Sequence, residues 1–459
     1  YENLLKIFIF CIYRLIFSSY YYYNVCYIIW IIEGDFGMFL AINIIGIIVF
    51  LGVAVLFSKD RKHINWASVG IMVVINILLA WFLVNSSVGI NGVKAAADGF
   101  KALVDVSYKG IEFALPDWVH VKSMNFVTSA LLPILMIVPL FDILTYIGIL
   151  PWIIKWVGKG LSFITRQPKF ESFFAVEMMF LGNTEALAVS GLQLRNMKSQ
   201  RLVTIAMMSM SCVTASILGS YLLMMPGQYI IAAVPINIVN SIIVTTVLNP
   251  VTVTPEEDTI AKIGGSASGE NTDTIESGSE GVAEETVSKK PEREPFFSFL
   301  GDSILGAGRL ILIITANVIA FVALAALIDA LLGKINPVLS LENILGCVMF
   351  PFAWLLGFDP SHAFQMAQYM GTKLVTNEFV VMGDVTGKMK DFAPHFAATL
   401  TVFLTSFANF STTGMIIGAF KGLVDRERND AISKNVGYML LSGILVSLLS
   451  AGFVGVFVW

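Results

Sequence analysis

The segment MFLGNTEALAV, residues 179–189, places a threonine and a glutamate in the middle of an apolar stretch. An ionisable side chain at the centre of a bilayer costs roughly 2.5–3.5 kcal/mol, so such residues usually mark a path or site for a polar solute. Gly182 comes just before the polar pair, where it permits a turn and a close approach of ligand to backbone. The segment therefore predicts a hairpin that enters the apolar layer and turns back.

The composition indicates a polytopic membrane protein. Of 459 residues, 56% are hydrophobic and 14% are charged, whereas soluble domains carry about 25% charged residues. The mean hydropathy is +0.78. The net charge of −4 comes largely from one acidic hydrophilic stretch, so it does not favour nucleic acid as a partner. The lipid bilayer is the expected surroundings.

Cysteine and histidine residues form no recognisable metal or catalytic motif. They lie scattered along the chain, with no CxxC or HExxH spacing. An intramembrane enzyme would need a nucleophile with its base, an aspartate pair or a metal triad, and the sequence offers none in a known pattern. We therefore expect no enzyme activity, no cofactor and no bound metal. The residues considered are Cys11, Cys26, Cys212, Cys347, His63, His120, His362 and His395.

The first 35 residues are apolar and crowded with tyrosine. Basic Lys6 and Arg14 precede apolar residues, which is compatible with an extra span or an uncleaved signal anchor. Alternatively, 1–35 is an upstream extension, because Met38 opens a clean first span. We favour the extension and leave it out of the fold prediction.

Apolar runs of at least 18 residues predict eight membrane crossings. They cover 36–57, 66–87, 124–148, 201–225, 228–248, 304–333, 394–420 and 435–459. Three other hydrophobic segments, 149–165, 170–193 and 341–383, are interrupted by proline, glycine or polar residues. Such interruptions are typical of re-entrant hairpins and interfacial helices.

The distribution of lysine and arginine supports this topology. If the first span starts outside, the inner short loops hold fourteen basic residues and the outer loops hold seven. Basic residues favour the cytoplasmic side. The bias holds only if 170–193 returns to the side from which it entered, as a hairpin does.

A polar segment, 249–295, is rich in Gly, Ser, Thr and Glu and has no aromatic residue before its final proline. It predicts a disordered cytoplasmic linker, either a plain connector or a regulatory element. It separates two halves in which spans, a hairpin and a further span recur in the same order. The predicted domains are scaffold spans 36–123, a first repeat 124–248 with hairpin 170–193, and a second repeat 304–459 with hairpin 361–383. Three crossings per repeat make the copies inverted, as in secondary transporters.

Two glutamates fall at corresponding positions of the two hairpins. Glu185 follows Thr184, and Glu378 follows Asn377. Each carboxylate could be a paired structural group, but a matched pair on opposed hairpins favours a functional site near the membrane midplane.

The span after the second hairpin contains TSFANFSTTG, residues 405–414, which supplies an amide and hydroxyls to a facing wall. For Ser411 and Thr413 a helix-packing role is equally compatible. Phe407 beside Asn409 suggests an aromatic surface for a ring-shaped solute. The residues thus predict a transporter of a small polar molecule that contains a ring.

The motifs GNTEALAV, TNEFVVM and SFANFSTTGMI occur in an order that resembles the concentrative nucleoside transporter family, in particular its bacterial members, from Met38 to Trp459. GNTEALAV is similar to members assigned to purine nucleosides. The resemblance implies a multi-pass homotrimer in the bacterial inner (plasma) membrane. Each protomer would have a scaffold domain and a mobile transport domain, which import nucleosides by cation symport through an elevator-like alternating-access mechanism.

The resemblance also implies two halves of a substrate site. The base would lie against the first hairpin and its partner span, and the ribose against the second pair. The corresponding residues are Gly182, Asn183, Thr184, Glu185 and Ile217 for the base, and Glu378, Asn409 and Thr412, with Phe407 nearby, for the ribose.

The coupling ion stays open between H⁺ and Na⁺. Sodium-coupled members build a cation site from carbonyl oxygens and a hydroxyl, and the corresponding positions here are Met178, Leu181, Ser211, Cys212 and Val213. The hydroxyl position falls on Cys212, a poor ligand for a hard cation, although Ser211 could replace it. We favour proton coupling, with Glu185 or Glu378 as carrier.

Asn183 stands where many members have glutamine, and its shorter side chain leaves room for a larger base. This favours purine nucleosides. The alternatives are a sodium-coupled or pyrimidine-preferring symporter and, from another class, a membrane nucleoside sensor.

Overall fold

The computed structural model describes residues 34–122, 124–254, 257–258, 295–336 and 339–459, and the regular structure within these ranges is helical. The predicted N-terminal extension 1–35 lies almost wholly outside the described residues, and so does most of the predicted linker 249–295. Both predictions stay untested.

The helices that precede the linker are α1 Gly34–Leu56, α2 Trp66–Asn85, α3 Ser87–Ala114, α4 Pro116–Val119, α5 Ile134–Tyr146, α6 Ile149–Thr165, α7 Lys169–Leu181, α8 Asn183–Val189, α9 Gly191–Arg195, α10 Ser199–Ser209, α11 Ala215–Met224 and α12 Gly227–Leu248. A short 3₁₀ turn spans Arg61–His63, and a π-helical turn, Val127–Leu131, leads into α5. The helices after the linker are α13 Phe296–Ile335, α14 Leu341–Trp354, α15 Pro360–Val375, α16 Glu378–Val385, α17 Pro394–Leu404, α18 Phe410–Lys421, α19 Arg426–Ser433 and α20 Val436–Gly455.

Six helical segments of the described chain are long and apolar enough to cross a membrane: Gly37–Leu56, Trp66–Asn85, Val127–Tyr146, Gly227–Leu248, Phe296–Ile335 and Val436–Gly455. They coincide with six of the eight predicted spans. α12 and α20 lie at the centre, with 83% and 67% of their most apolar windows buried. The long α13 lies at the periphery, where only 6% of the corresponding window is buried.

The predicted crossings 201–225 and 394–420 are not continuous helices, and the prediction that they cross the membrane stays untested. The first contains α10 and α11, separated at residues 210–214, and the second contains α17 and α18, separated at 405–409. Hydroxyl or amide side chains lie at both breaks. They can form hydrogen bonds with backbone groups, and these bonds compete with the hydrogen bonds of the helix. Asn409 is an example, because its Oδ1 accepts a hydrogen bond from the Thr412 amide and caps α18.

The prediction that Pro151 interrupts 149–165 was wrong, because α6 runs unbroken from Ile149 to Thr165. Pro151 lies in the first turn, where the backbone amide has no partner within the helix and its absence costs little.

The first predicted hairpin turns back at Gly182. The Ser190 hydroxyl donates to Glu177 Oε2 at 2.7 Å, although these residues would be about 20 Å apart in a continuous helix. Gly182 has φ 94° and ψ 174°, a conformation that only glycine adopts readily.

The second predicted hairpin has the same form. α15 and α16 are separated by Thr376 and Asn377 and lie side by side, so that Tyr369 and Thr372 of α15 line one surface pocket with Val381 of α16. Asn377 caps α16 by accepting from the Val380 amide at 3.1 Å.

Candidate functional site

A cavity of about 140 Å³ lies where the interrupted helices meet. The tip of the first hairpin, the start of α16 and the break before α18 form part of its wall, together with the sides of α5, α11 and α13. The structure brings these predicted substrate residues onto the wall: Gly182, Asn183, Ile217, Glu378, Phe407, Asn409 and Thr412.

Glu378 is the best-defined polar group of this cavity. It is the first residue of α16 and is 2% exposed. The Tyr221 hydroxyl donates to its Oε1 at 2.8 Å, and Asn409 Nδ2 donates to its Oε2 at 3.0 Å. A carboxylate offers about four lone-pair positions. With two occupied, Glu378 can accept further hydrogen bonds from a polar ligand.

Asn409 links the carboxylate to the second break. Its Nδ2 contacts Glu378, while its Oδ1 accepts from the Thr412 amide at 2.8 Å. One side chain therefore fixes both the carboxylate and the start of α18. Ser411 also lies on the cavity wall, whereas the Thr413 hydroxyl donates to the Asn409 carbonyl at 3.2 Å, as a packing residue does.

Lys373 is a buried basic residue of α15, the helix that precedes Glu378 in the chain. The residue is 0% exposed, and its ammonium group donates to the Phe403 carbonyl and to Ser406 Oγ, each at 2.6 Å. The ammonium thus satisfies the C-terminal end of α17, where helix carbonyls are unpaired and carry partial negative charge. Lys373 also interacts electrostatically with Glu378.

At the first hairpin, the structure describes the backbone of Thr184 and Glu185 in α8 but not their side chains. The prediction that Glu185 and Glu378 face one pocket therefore stays a prediction. Asn183 lines the cavity, and its Oδ1 is buried without a hydrogen-bond partner among the described residues. This oxygen is available to a ligand.

The positions predicted for a coupling cation lie near the same hairpin. Leu181 lines the cavity, and Met178, Ser211, Cys212 and Val213 are buried. Ser211 Oγ has no hydrogen-bond partner within the described ranges. The same ranges hold no group of three or more His, Cys, Asp or Glu side chains suited to a metal ion.

Sequence reasoning did not identify several polar residues around the cavity. Tyr221 donates to Glu378 from α11, and Lys373 lies buried on α15. Asp142 and Asn317 lie on the wall that α5 and α13 form. Lys373 and Asp142 could have been identified from the sequence, because each is an ionisable residue inside an apolar segment. No local pattern distinguishes Tyr221 from the other 12 tyrosines.

Two family models match this chain. The model described as the C-terminus of the Na⁺-dependent nucleoside transporter matches residues 229–455, and the model of its N-terminus matches 45–118. The purine nucleoside transport protein NupG of Bacillus subtilis is 42% identical over 422 residues, covering 92% of this chain and all of NupG. The chain belongs to the concentrative nucleoside transporter family. This transporter is therefore a multi-pass protein of the bacterial plasma membrane and not an enzyme.

More distant relatives agree with this assignment. The nucleoside permease NupC of Helicobacter pylori is 24% identical to the transporter over 91% of this chain and 97% of NupC. A solved structure of CNTnw in an inward-facing, substrate-bound state matches with a TM-score of 0.79 and 24% identity, over 92% of this chain and 98% of that one. An outward-facing CNTnw variant, with 23% identity over 91% of this chain and 97% of its own, gives a TM-score of 0.78. The likeness establishes the fold and does not assign an inward- or outward-facing state.

Proposed function

We propose that this transporter imports purine nucleosides by proton symport, with the cavity at the interrupted helices as the substrate site. The observation that carries the proposal is Glu378, a carboxylate at the cavity wall that Tyr221 and Asn409 orient. A fixed carboxylate with free lone pairs suits the vicinal hydroxyls of a ribose, because hydrogen bonds to charged groups contribute about 1.5–3 kcal/mol.

The apolar residues of the cavity wall suit a base. Phe180, Leu181 and Ile217 present apolar surface to the cavity, which can pack against a planar ring. Asn183 adds a buried acceptor without a partner in the described chain, and Thr184 and Glu185 follow it in sequence. The purine preference is supported by the 42% identity with a protein named as a purine nucleoside transporter.

Proton coupling is supported by the residues at the break between α10 and α11. Cys212 is buried at the position expected to carry a hydroxyl, and a thiol is a poor ligand for Na⁺, which prefers oxygen. The family model carries the words Na⁺-dependent in its name. That description belongs to the family as a whole, and the coupling ion of this member is to be determined by experiment.

The alternating-access step would be an elevator-like movement of a transport domain against a scaffold. In this proposal the two folded-back pairs, α7 with α8 and α15 with α16, are re-entrant hairpins of inverted repeats and move together with the broken helices α10–α11 and α17–α18. The remaining long helices form the scaffold. The peripheral, largely unburied α13 offers a surface to lipid or to the other protomers of a homotrimer.

Two alternatives make different predictions. A sodium-coupled symporter would require Na⁺ for uptake, and a pyrimidine-preferring symporter would accumulate uridine best. A membrane nucleoside sensor would bind nucleosides at this cavity without accumulating them.

The deciding experiment measures initial uptake of labelled inosine, guanosine, adenosine and uridine into cells that lack other nucleoside carriers, with external pH and Na⁺ varied independently. We expect purine accumulation that a protonophore abolishes and that choline substitution for Na⁺ leaves unchanged. Preference for uridine would refute the purine assignment, Na⁺-dependent uptake would refute proton coupling, and binding without accumulation would favour the sensor.

A further inference from the structure

A second carboxylate, Asp142, faces the substrate cavity from α5. The Ser303 hydroxyl of α13 donates to its Oδ2. Within the described part of the chain, no basic side chain forms an ion pair with Asp142, and Oδ1 receives no hydrogen bond. The group is half-buried. A partly desolvated carboxylate that lacks a cationic partner is unfavourable unless a ligand supplies hydrogen-bond donors.

Asp142 shares the cavity wall with apolar residues of the first hairpin. Its helix packs most extensively on α13 and also contacts α6, α7 and α11. The adjacent Phe141 packs on the same buried cluster as Phe180 of the first hairpin, and both rings line the cavity. Glu378, by contrast, stands at the start of α16 in the second half. The two carboxylates thus reach one cavity from helices in different halves of the chain.

We propose that Asp142 is a specificity-determining residue that accepts hydrogen bonds from the N–H edge of a purine base. This inference rests on the proposed function, in which the base packs against the apolar residues of the cavity wall and the ribose contacts Glu378. Guanine presents two parallel donors, N1–H and the 2-amino group, which match the two oxygens of a carboxylate. Ser303 occupies one lone pair of Oδ2, which leaves that oxygen and Oδ1 able to accept.

The donor pattern ranks the purine nucleosides. Hypoxanthine in inosine offers N1–H but lacks the 2-amino group, so it makes one of the two bonds. Adenine has an acceptor at N1, which would face the carboxylate unfavourably. The order of affinity expected from Asp142 is thus guanosine, then inosine, then adenosine.

The substitution Asp142→Asn tests the assignment with little change in shape. Asparagine keeps an oxygen for the Ser303 hydroxyl and places an amino group where a carboxylate oxygen faced the base. Asp302→Asn is the matched control, because it removes the same charge from an exposed position beside Ser303. Concentration-dependent uptake of guanosine, inosine, adenosine and uridine is measured for wild type and both variants.

We expect Asp142→Asn to raise the half-saturating concentration of guanosine on the order of tenfold to a hundredfold, the loss expected for hydrogen bonds to a charged group. Inosine should change less and uridine least, and Asp302→Asn should match wild type. An unchanged guanosine-to-inosine ratio, or an equal loss for all four nucleosides, would overturn the assignment. Wild-type preference for uridine would instead overturn the purine proposal.

Competition in the wild-type protein gives a second measurement that requires no variant. 1-Methylguanosine lacks the N1–H donor and should inhibit guanosine uptake at least tenfold more weakly than unlabelled guanosine does. Equal inhibition by the two compounds would overturn the assignment whether or not Asp142→Asn reaches the membrane.

Discussion

Replacing Glu378 with glutamine would keep the side-chain volume and change the hydrogen bonding at the start of α16. The carboxylate accepts from both Tyr221 and Asn409, whereas glutamine has one oxygen and an amino group that must face one of these donors. We therefore expect a weaker and less well-oriented acceptor for the ribose.

The magnitude follows from the number of bonds. A hydrogen bond to a charged group contributes about 1.5–3 kcal/mol and a neutral one about 0.5–1.5 kcal/mol, so each ribose hydroxyl loses about 1–1.5 kcal/mol. Two hydroxyls lose about 2–3 kcal/mol together, or about 30- to 150-fold in half-saturating nucleoside concentration at about 1.4 kcal/mol per tenfold.

The assay is initial-rate uptake of labelled inosine, with the amount of transporter in the membrane measured in parallel. Tyr221→Phe is the graded control, since it keeps the ring that packs edge-on against Phe379 at 5.1 Å and removes one donor to the carboxylate. We expect it to weaken uptake by only a few-fold.

Substrate analogues distinguish a direct contact from a structural effect of Glu378. Wild type should discriminate strongly against 3′-deoxyinosine, because the carboxylate loses a donor, and Glu378→Gln should discriminate much less. Normal inosine uptake by this variant, or equal competition by inosine and 3′-deoxyinosine in wild type, would refute the ribose assignment.

Arg201 and Glu171 form a buried ion pair with bonds of 2.8 and 2.9 Å, and Arg201→Met, which removes one partner, should lower the free energy of unfolding by about 3–5 kcal/mol. Thermal unfolding in detergent should show a smaller loss of stability when both charged residues are replaced. Equal losses for the single and double replacements would contradict this prediction. Gly182→Ala should destabilise the hairpin conformation by about 1–3 kcal/mol and reduce nucleoside uptake. Gly148→Ala is the control, because Gly148 also has a positive φ but has open space for a Cβ, and it should leave uptake unchanged. Equal uptake defects in the two variants would contradict a specific role for the turn at Gly182. Cys212→Ser supplies an oxygen ligand and should make uptake respond to Na⁺, whereas continued indifference to Na⁺ would count against that position as the determinant of ion choice.

Hydropathy predicted the long helices of this protein well because a helix that is apolar on all sides keeps a high mean hydropathy over about 20 residues. It did not reveal the breaks within 201–225 and 394–420, where the composition stays apolar while the backbone leaves the helix. A few hydroxyl or amide side chains cause each break, and they change the average hydrophobicity little. Half-helices are therefore poorly detected by methods that average over a span.

The candidate site was predictable where polarity contrasts with its surroundings. Glu378 and Asn409 stand out in apolar sequence, and the structure places both on one cavity with a direct hydrogen bond between them. Tyr221 could not be found in this way, because its contact with Glu378 joins positions 157 residues apart. Such partners become visible only when the chain is folded.

The length of α13 has a consequence for how the membrane acts on this transporter. Its 40 residues correspond to about 60 Å, twice the roughly 30 Å of a hydrocarbon core, so the helix must lie steeply oblique or carry its ends into the headgroups. Oblique helices respond to bilayer thickness by changing tilt. Because Ser303 of α13 holds Asp142 on the cavity wall, acyl-chain length in the surrounding lipids can alter the geometry at which a nucleoside is held.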